Sequence, residues 1–286
     1  MPKLLSKLPF GLLYGLSTLM YFCVYYVVRY RRKVVFSHLQ QAFPDRSPAE
    51  IKTLAKGFYR NFCDVSLEIF KVGSMTPADL DKRVSFANLE ALQPILDRGQ
   101  SMILLSAHYC NWEWLLLGTA LKMPIPLDVV YKPLHNASMN RFMYDTRSRF
   151  NVDPIDLNEF TNEIIKRKGT QRAYCILADQ KPRSKGKAHT SDFLHRETRF
   201  FIGPEKIAQF VKIPVVFVTM QRERRGYYRV TFKVIAEPPY EKQRNAYPIT
   251  ETYVRELETL IQHAPEGWLW SNRRWRSRKT ERGLAE

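Results

Sequence analysis

A histidine delivered by an apolar run, with a carboxylate five positions on, is where acid–base chemistry would reside in this chain. Residues 101–114 read SMILLSAHYCNWEW. Ser101 to Leu105 have the pattern of a short buried strand, Asn111 is placed to cap a helix, and Trp112 to Leu121 read as that helix. On one continuous helix five residues turn through about 500°, which would set His108 and Glu113 on different faces. The spacing therefore predicts His108 in the turn and Glu113 in the first helical turn, folded back to meet it. An imidazole acting as a general base needs one ring nitrogen free to take a proton and the other held by a hydrogen bond. A carboxylate supplies that hold and stabilises the imidazolium that forms. His108 is thus the expected base and Glu113 its expected orienting group. His38, His135, His189, His195 and His263 have no carboxylate at comparable spacing and read as structural.

The surrounding pattern must supply a scaffold for that turn. Ser47-Pro48-Ala49-Glu50 is a helix start, with Ser47 as cap, Pro48 in the first helical position and Glu50 closing a capping box. Apolar residues at Ile51, Leu54, Ala55, Phe58, Phe62, Val65, Ile69 and Phe70 carry that helix to about Lys71, while Lys52, Lys56 and Arg60 form a polar face. Beyond it helices and strands alternate. Helices are expected near 89–96, 112–121, 136–149, 158–168, 204–211 and 250–263. Strands are expected at 101–106, 127–131, 173–178, 214–221 and 228–235, the last two joined antiparallel around Arg224-Arg225-Gly226. This is the signature of an α/β fold, a mixed sheet covered by helices. In such sheets reactive groups collect in loops at the carboxyl ends of strands. His108, Tyr131-Lys132-Pro133 and Asp179-Gln180-Lys181-Pro182 all occupy that kind of position.

Residues 10–28 contain no charged side chain. At about 1.5 Å per residue they would extend about 28 Å, close to the thickness of a bilayer's hydrocarbon. The run meets Arg29, Tyr30, Arg31, Arg32 and Lys33 with no small-residue cleavage site, so a retained, single-pass anchor is expected. The denser basic cluster on its C-terminal side places residues 29–286 in the cytoplasm. Residues 1–33 are accordingly expected to be an anchor with its basic flank, and 34–286 one domain. Tyr14, Tyr21, Tyr25, Tyr26 and Tyr30 leave a buried core helix as the alternative. With 45 Lys and Arg against 28 Asp and Glu, the formal charge of +17 calls for an anionic partner: nucleic acid, anionic lipid or an acidic protein. The basic residues form no recognisable nucleic-acid-binding motif, so nucleic acid is not expected. Cys23, Cys63, Cys110 and Cys175 are scattered without a Cys-x-x-Cys, which indicates neither a metal site nor a disulfide framework.

With these residues in view, the chain resembles the late acyltransferases of lipid A biosynthesis, the lauroyl and myristoyl transferases within the wider lysophospholipid acyltransferase-like group. His108-Tyr109-Cys110-Asn111-Trp112-Glu113 matches the family's H-x-G-N-W-E, and Tyr131-Lys132-Pro133 with Asn136 its Y-[RK]-P-x-x-N. Asp179-Gln180, the Phe201-x-Gly203 element, and Pro265-Glu266-Gly267-Trp268-Leu269-Trp270 with Arg273-Arg274 follow in order. The resemblance implies a glycerolipid-acyltransferase-like fold at the bacterial inner membrane, no cofactor, and transfer of an acyl chain from acyl carrier protein to a lipid A precursor. It implies Arg147 as a second catalytic or positioning group. It places Asn111, Tyr131, Lys132, Asn136, Asp179 and Gln180 at the substrate, Asp179 alternatively capping a turn, and Glu266, Arg273 and Arg274 on sugar phosphates. Two basic clusters are expected to divide the partners. Lys181, Arg183, Lys185 and Lys187 face the acidic carrier protein, and Arg273, Arg274, Arg276, Arg278, Lys279 and Arg282, beside Trp268, Trp270 and Trp275, face an anionic membrane surface. A lysophospholipid, an amino-acid-containing lipid or a glycolipid is the alternative acceptor. Cys110 departs from the family's glycine, and a positive φ there would be strained.

Overall fold

The structure, a computed structural model, describes residues 5–182, 187–241 and 246–275. Arg183, Lys185, Arg276, Arg278, Lys279 and Arg282 of the two basic clusters lie outside the described residues. In chain order the elements are α1 (Phe10–Phe22), continued by a π-helical turn (Cys23–Val27), α2 (Arg32–Ala42), α3 (Pro48–Lys71), α4 (Pro77–Asp81), β1 (Val84–Phe86) and α5 (Gln93–Asp97). Then come β2 (Met102–Ser106), α6 (Trp112–Lys122), β3 (Leu127–Tyr131), α7 (Ala137–Arg147), β4 (Val152–Asp156), α8 (Phe160–Lys166) and β5 (Ala173–Leu177). The chain continues through β6 (Ala188–Asp192), β7 (Glu197–Phe201), α9 (Gly203–Val211), β8 (Val215–Arg224), β9 (Tyr227–Ala236) and α10 (Pro248–His263).

Seven strands make one mixed sheet in the order β1-β9-β8-β2-β5-β3-β4, with β8 and β9 the antiparallel pair and the remaining neighbours parallel. β6 and β7 form a separate antiparallel ribbon. The central strand β2 is Met-Ile-Leu-Leu-Ser with every residue buried, as a strand covered on both faces requires. The pattern missed α2, a regular helix of 11 residues directly after the basic cluster, and several short strands. β4 carries Pro154 and sits at the sheet edge, the position where a strand tolerates a missing N–H. β1 has three residues and forms the other edge.

α3 begins as its sequence dictates. Ser47 Oγ accepts from the Glu50 N–H at 3.3 Å, and the Glu50 carboxylate accepts from the Ser47 N–H at 2.8 Å. The polar face expected on this helix is only partly solvated. Asp64 and Glu68 continue the four-residue steps of Lys52, Lys56 and Arg60, yet both are buried where α1 packs on α3. The helical stretch Phe10–Val27 is long and apolar enough to cross a membrane by length and composition. Leu13, Ser17, Tyr21 and Tyr25 are buried at four-residue steps, whereas Leu12, Leu16, Leu19 and Phe22 are exposed. Replacing Ser47 by Ala removes one side-chain acceptor and the partner of Glu50, so it should lower stability by about 1 kcal/mol and leave specific activity unchanged. The midpoint of a denaturant titration in detergent checks this, and an unmoved midpoint would mean that the cap contributes nothing.

Candidate active site

Ser106 of β2 lies opposite Leu177 of β5 in the parallel register. Two residues beyond the end of each strand stand His108 and Asp179. His108 Nδ1 lies 2.7 Å from Asp179 Oδ1, and the same oxygen accepts from the His108 backbone N–H at 3.1 Å. The other carboxylate oxygen accepts from Trp268 Nε1 at 3.0 Å. Burial disfavours the imidazolium, but the Asp179 charge and hydrogen bond, with the Glu113 charge, together outweigh it and hold the His108 pKa above its ordinary value. Burial likewise disfavours the Asp179 carboxylate, and His108, its N–H and Trp268 together pull its pKa below the usual range. The two shifts have the signs of one ion pair. A proton on Nδ1 leaves Nε2 as the acceptor, and Nε2 lies 3.1 Å from the Gln180 side-chain amide nitrogen.

Glu113, the expected partner of His108, turns elsewhere. It sits in the first turn of α6 as the spacing predicts, but its carboxylate binds Arg147 bidentately, through Nε at 2.9 Å and through Nη2, and accepts from Trp112 Nε1 at 3.1 Å. The reason is topological. β5 is the neighbour of β2 and brings Asp179 to the imidazole, while α7 brings a guanidinium to Glu113 and satisfies it with two parallel hydrogen bonds. Arg147 is disfavoured by burial but more strongly stabilised as a cation by Glu113, so its pKa is raised.

His108, Trp112, Glu113 and Arg147 line a cavity of about 780 Å³. Leu104, Leu115, Leu116, Val129, Ile176 and Val218 make much of its wall apolar, and Tyr131, Lys132, Gln180 and Lys181 also border it.

Three braces hold the His108 turn. Cys110 has φ +49°, the left-handed conformation that a glycine would take without strain, and its N–H donates to the Gly267 carbonyl at 2.8 Å. The Leu269 N–H returns a bond to the His108 carbonyl at 3.1 Å. Gly267 itself is required by contact, because a Cβ there would meet the Tyr109 ring at 2.4 Å. Asn111 caps α6 by accepting from the Trp114 N–H at 3.0 Å, and its amide donates to Glu68 Oε2 at 2.8 Å. Glu68 is fully buried and also accepts from Tyr228 Oη at 2.6 Å and Tyr14 Oη at 2.8 Å. Its pKa is raised, because burial outweighs those three donors.

A family model described as bacterial lipid A biosynthesis acyltransferase matches residues 2–277. The chain belongs to that family. No curated protein matches it. As a lipid A biosynthesis acyltransferase, the chain carries its motif residues in two groups. His108, Glu113, Tyr131, Lys132, Arg147 and Gln180 gather around the cavity. The others do not face it. Asn111 is buried as cap and Glu68 partner, and Asp179 is buried against His108 and Trp268, so neither side chain is free for substrate. Asn136 caps α7 at the exposed Met139 N–H. Glu266 packs on Gly57 of α3, where a Cβ would meet its Cγ at 2.5 Å. Arg273 is exposed outside the cavity lining. Arg274 is turned inward, donating to the Arg199 carbonyl and stacking 4.7 Å from the Phe200 ring, and burial brings its pKa down to about 10. Glu266, Arg273 and Arg274, the residues expected on sugar phosphates, thus all lie outside the lining of this cavity. The Cys110 thiol is pushed up to about 12 by burial, a protonated and inert group at neutral pH.

Glu68 is the positioning residue that the sequence pattern concealed, because the four-residue steps from Arg60 through Asp64 to Glu68 read as a solvated face. Its removal should show in the loop it braces. Glu68→Leu leaves three donors buried without an acceptor and should destabilise by roughly 3 kcal/mol or more, whereas Glu68→Gln keeps one acceptor oxygen, able to serve the two donors that now share Oε2, and should recover part of the loss in a thermal melt. Equal melting points for the two variants would refute the brace.

The dyad makes a pH prediction with a definite sign. A base must be neutral to accept a proton, and a raised pKa keeps His108 protonated to higher pH. The acid limb of kcat/KM should therefore lie above the ordinary imidazole value of about 6.5. In Asp179→Asn burial is no longer opposed by the carboxylate, so the limb should move to lower pH while the rate falls. A limb that stays in place would show that another group sets it.

Proposed function

We propose that this acyltransferase moves a fatty acyl chain from acyl carrier protein to a hydroxyl of a lipid A precursor at the cytoplasmic face of the bacterial inner membrane. The observation that supports this reading is the His108–Asp179 pair at the edge of a largely apolar cavity wide enough for an acyl chain. The acceptor hydroxyl displaces the Gln180 amide from Nε2 and gives up its proton there as its oxygen attacks the thioester carbonyl. Asp179 stabilises the imidazolium through Nδ1. The tetrahedral oxyanion needs donors aimed at it, and Arg147, held by Glu113 in the wall of the same cavity, is the cation assigned to it. Collapse breaks the C–S bond, the imidazolium returns its proton to the leaving thiolate, and the products are an ester and the free carrier thiol. Glu113 in this scheme positions Arg147, and Asp179 takes the orienting role first assigned to Glu113. The apolar wall from Leu104 to Val218 receives the acyl chain, with Tyr131 and Lys132 at the substrate.

Mass spectrometry of lipids from cells with and without the gene tests the acceptor. Loss of one acyl group from lipid A is expected. An intact lipid A with a changed lysophospholipid, amino-acid-containing lipid or glycolipid would move the acceptor to that class. His108→Ala should lower turnover by about 10² to 10⁴-fold, and His108→Ala/Asp179→Asn should be little worse, since the pair acts as one unit. Near-normal turnover by His108→Ala would refute the mechanism.

The donor is tested by charge. Replacing Lys181, Arg183, Lys185 and Lys187 with Ala should raise KM for acylated carrier protein and flatten its salt dependence, with kcat little changed, because steering charges act on encounter and are screened over about 8–10 Å. An unchanged KM across a salt series would remove the carrier protein from this cluster.

A further inference from the structure

We propose that α1 does not cross the bilayer but lies along one anionic leaflet, fixed to the domain by its polar side with its apolar side in lipid. This rests on the membrane reading above and replaces the spanning orientation that length and composition suggest.

α1 and α3 run antiparallel in continuous contact. Tyr14 meets Glu68, Ser17 donates to Asp64 at 2.5 Å, the Tyr21 ring lies 5.3 Å from the Arg60 guanidinium, and Tyr25 lies 5.2 Å from Tyr59. Both ends are tied as well. Lys71 donates to the Ser6 carbonyl at 2.8 Å, and Tyr59 donates to the Tyr30 carbonyl at 2.6 Å. A helix standing across a membrane leaves its domain after one end; this one stays beside it throughout.

The groups it lies against are charged. Asp64 pairs with Arg222 at 2.7 Å and Arg225 at 2.6 Å. Arg225 also donates to the Tyr14 carbonyl at 3.0 Å and to Thr18 Oγ1 at 3.2 Å, which puts a guanidinium beside the middle of the apolar stretch. In a spanning orientation residues 14–18 would lie within the hydrocarbon. Either the charges would be drawn in with them or these bonds would break and leave the Asp64 and Glu68 sites open.

The opposite side has the complementary character. Leu12, Leu16, Leu19, Phe22 and Val27 are exposed at three- to five-residue steps, one ridge of an interfacial helix. Lys7 stands exposed before it, and Arg29, Arg31 and Lys33 stand exposed after it. Cations at both ends of a half-exposed apolar helix match a single plane of anionic headgroups. Arg29 and Arg31, with φ +53° and +47°, then turn the chain back into α2.

The orientation is read by labelling the full-length protein in spheroplasts with a membrane-impermeant maleimide. Cys23 is replaced by Ser, and Lys7→Cys or Lys33→Cys is introduced, all three at exposed positions. Both new thiols should be protected in intact spheroplasts and react only after lysis. Labelling of Lys7→Cys from outside, with Lys33→Cys still protected, would establish a spanning helix and overturn the inference. Purified protein should also float with vesicles containing anionic lipid, and Leu12→Ser/Leu19→Ser/Phe22→Ser should reduce flotation at least several-fold with an unchanged thermal melt. Undiminished flotation would likewise overturn it. Recovery of the protein in the soluble fraction would instead remove the membrane reading itself, and this inference with it.

Discussion

Ser106 and Leu177 face each other across two hydrogen-bonded parallel strands, and the proposed reactive pair consists of the residues two positions beyond them in the chain. Parallel pairing fixes both the distance between strands and their relative stagger. A one-residue slip would turn side chains to the opposite face and part His108 from Asp179. The buried Met-Ile-Leu-Leu run of β2, flanked in the sheet by β5 and β8, prevents that slip and so keeps the pair together. The imidazole inherits its position from the sheet rather than from the helix that follows it.

Three buried carboxylates surround this arrangement, each answered differently. Asp179 meets an imidazole, a backbone N–H and an indole; Glu113 meets a guanidinium and an indole; Glu68 meets two phenols and an amide. Burying such groups is unfavourable unless every oxygen is satisfied, and removing one partner of a buried pair typically costs about 3–5 kcal/mol. Their shared effect is rigidity. The turn carrying His108 is held from α3 through Glu68 and Asn111 and from the C-terminal segment through Gly267, Trp268 and Leu269.

The local parts of this design are legible in the sequence because they depend on neighbours along the chain. The capping box at Ser47 and Glu50, the Asn111 cap, the buried strand before His108 and the antiparallel pair around Gly226 all form as their spacing predicts. What was not legible depends on which strands and helices become neighbours. Proximity in sequence favoured Glu113 as the partner of His108, and nothing local shows that β5 inserts between β2 and β3. The available signal was positional: Asp179, like His108, sits two residues beyond an apolar strand. Asp64 and Glu68 were hidden by the same limit, since a four-residue polar repeat looks identical whether water or α1 covers it. The family's glycine position was informative in the other direction. Cys110 does adopt the left-handed conformation that its alignment with a glycine implied.

The distance along the chain between the braces has a consequence for synthesis. Glu68, His108, Asp179 and Trp268 must all be present before the His108 turn is held, and the first and last of them are 200 residues apart. Contacts of such long sequence separation form late. A nascent or truncated chain can already bear the apolar helix and the histidine, yet it has no indole on Asp179 and no Gly267 carbonyl to secure the turn. The site is thus assembled from both directions, and an unfinished copy carries His108 in an unbraced turn.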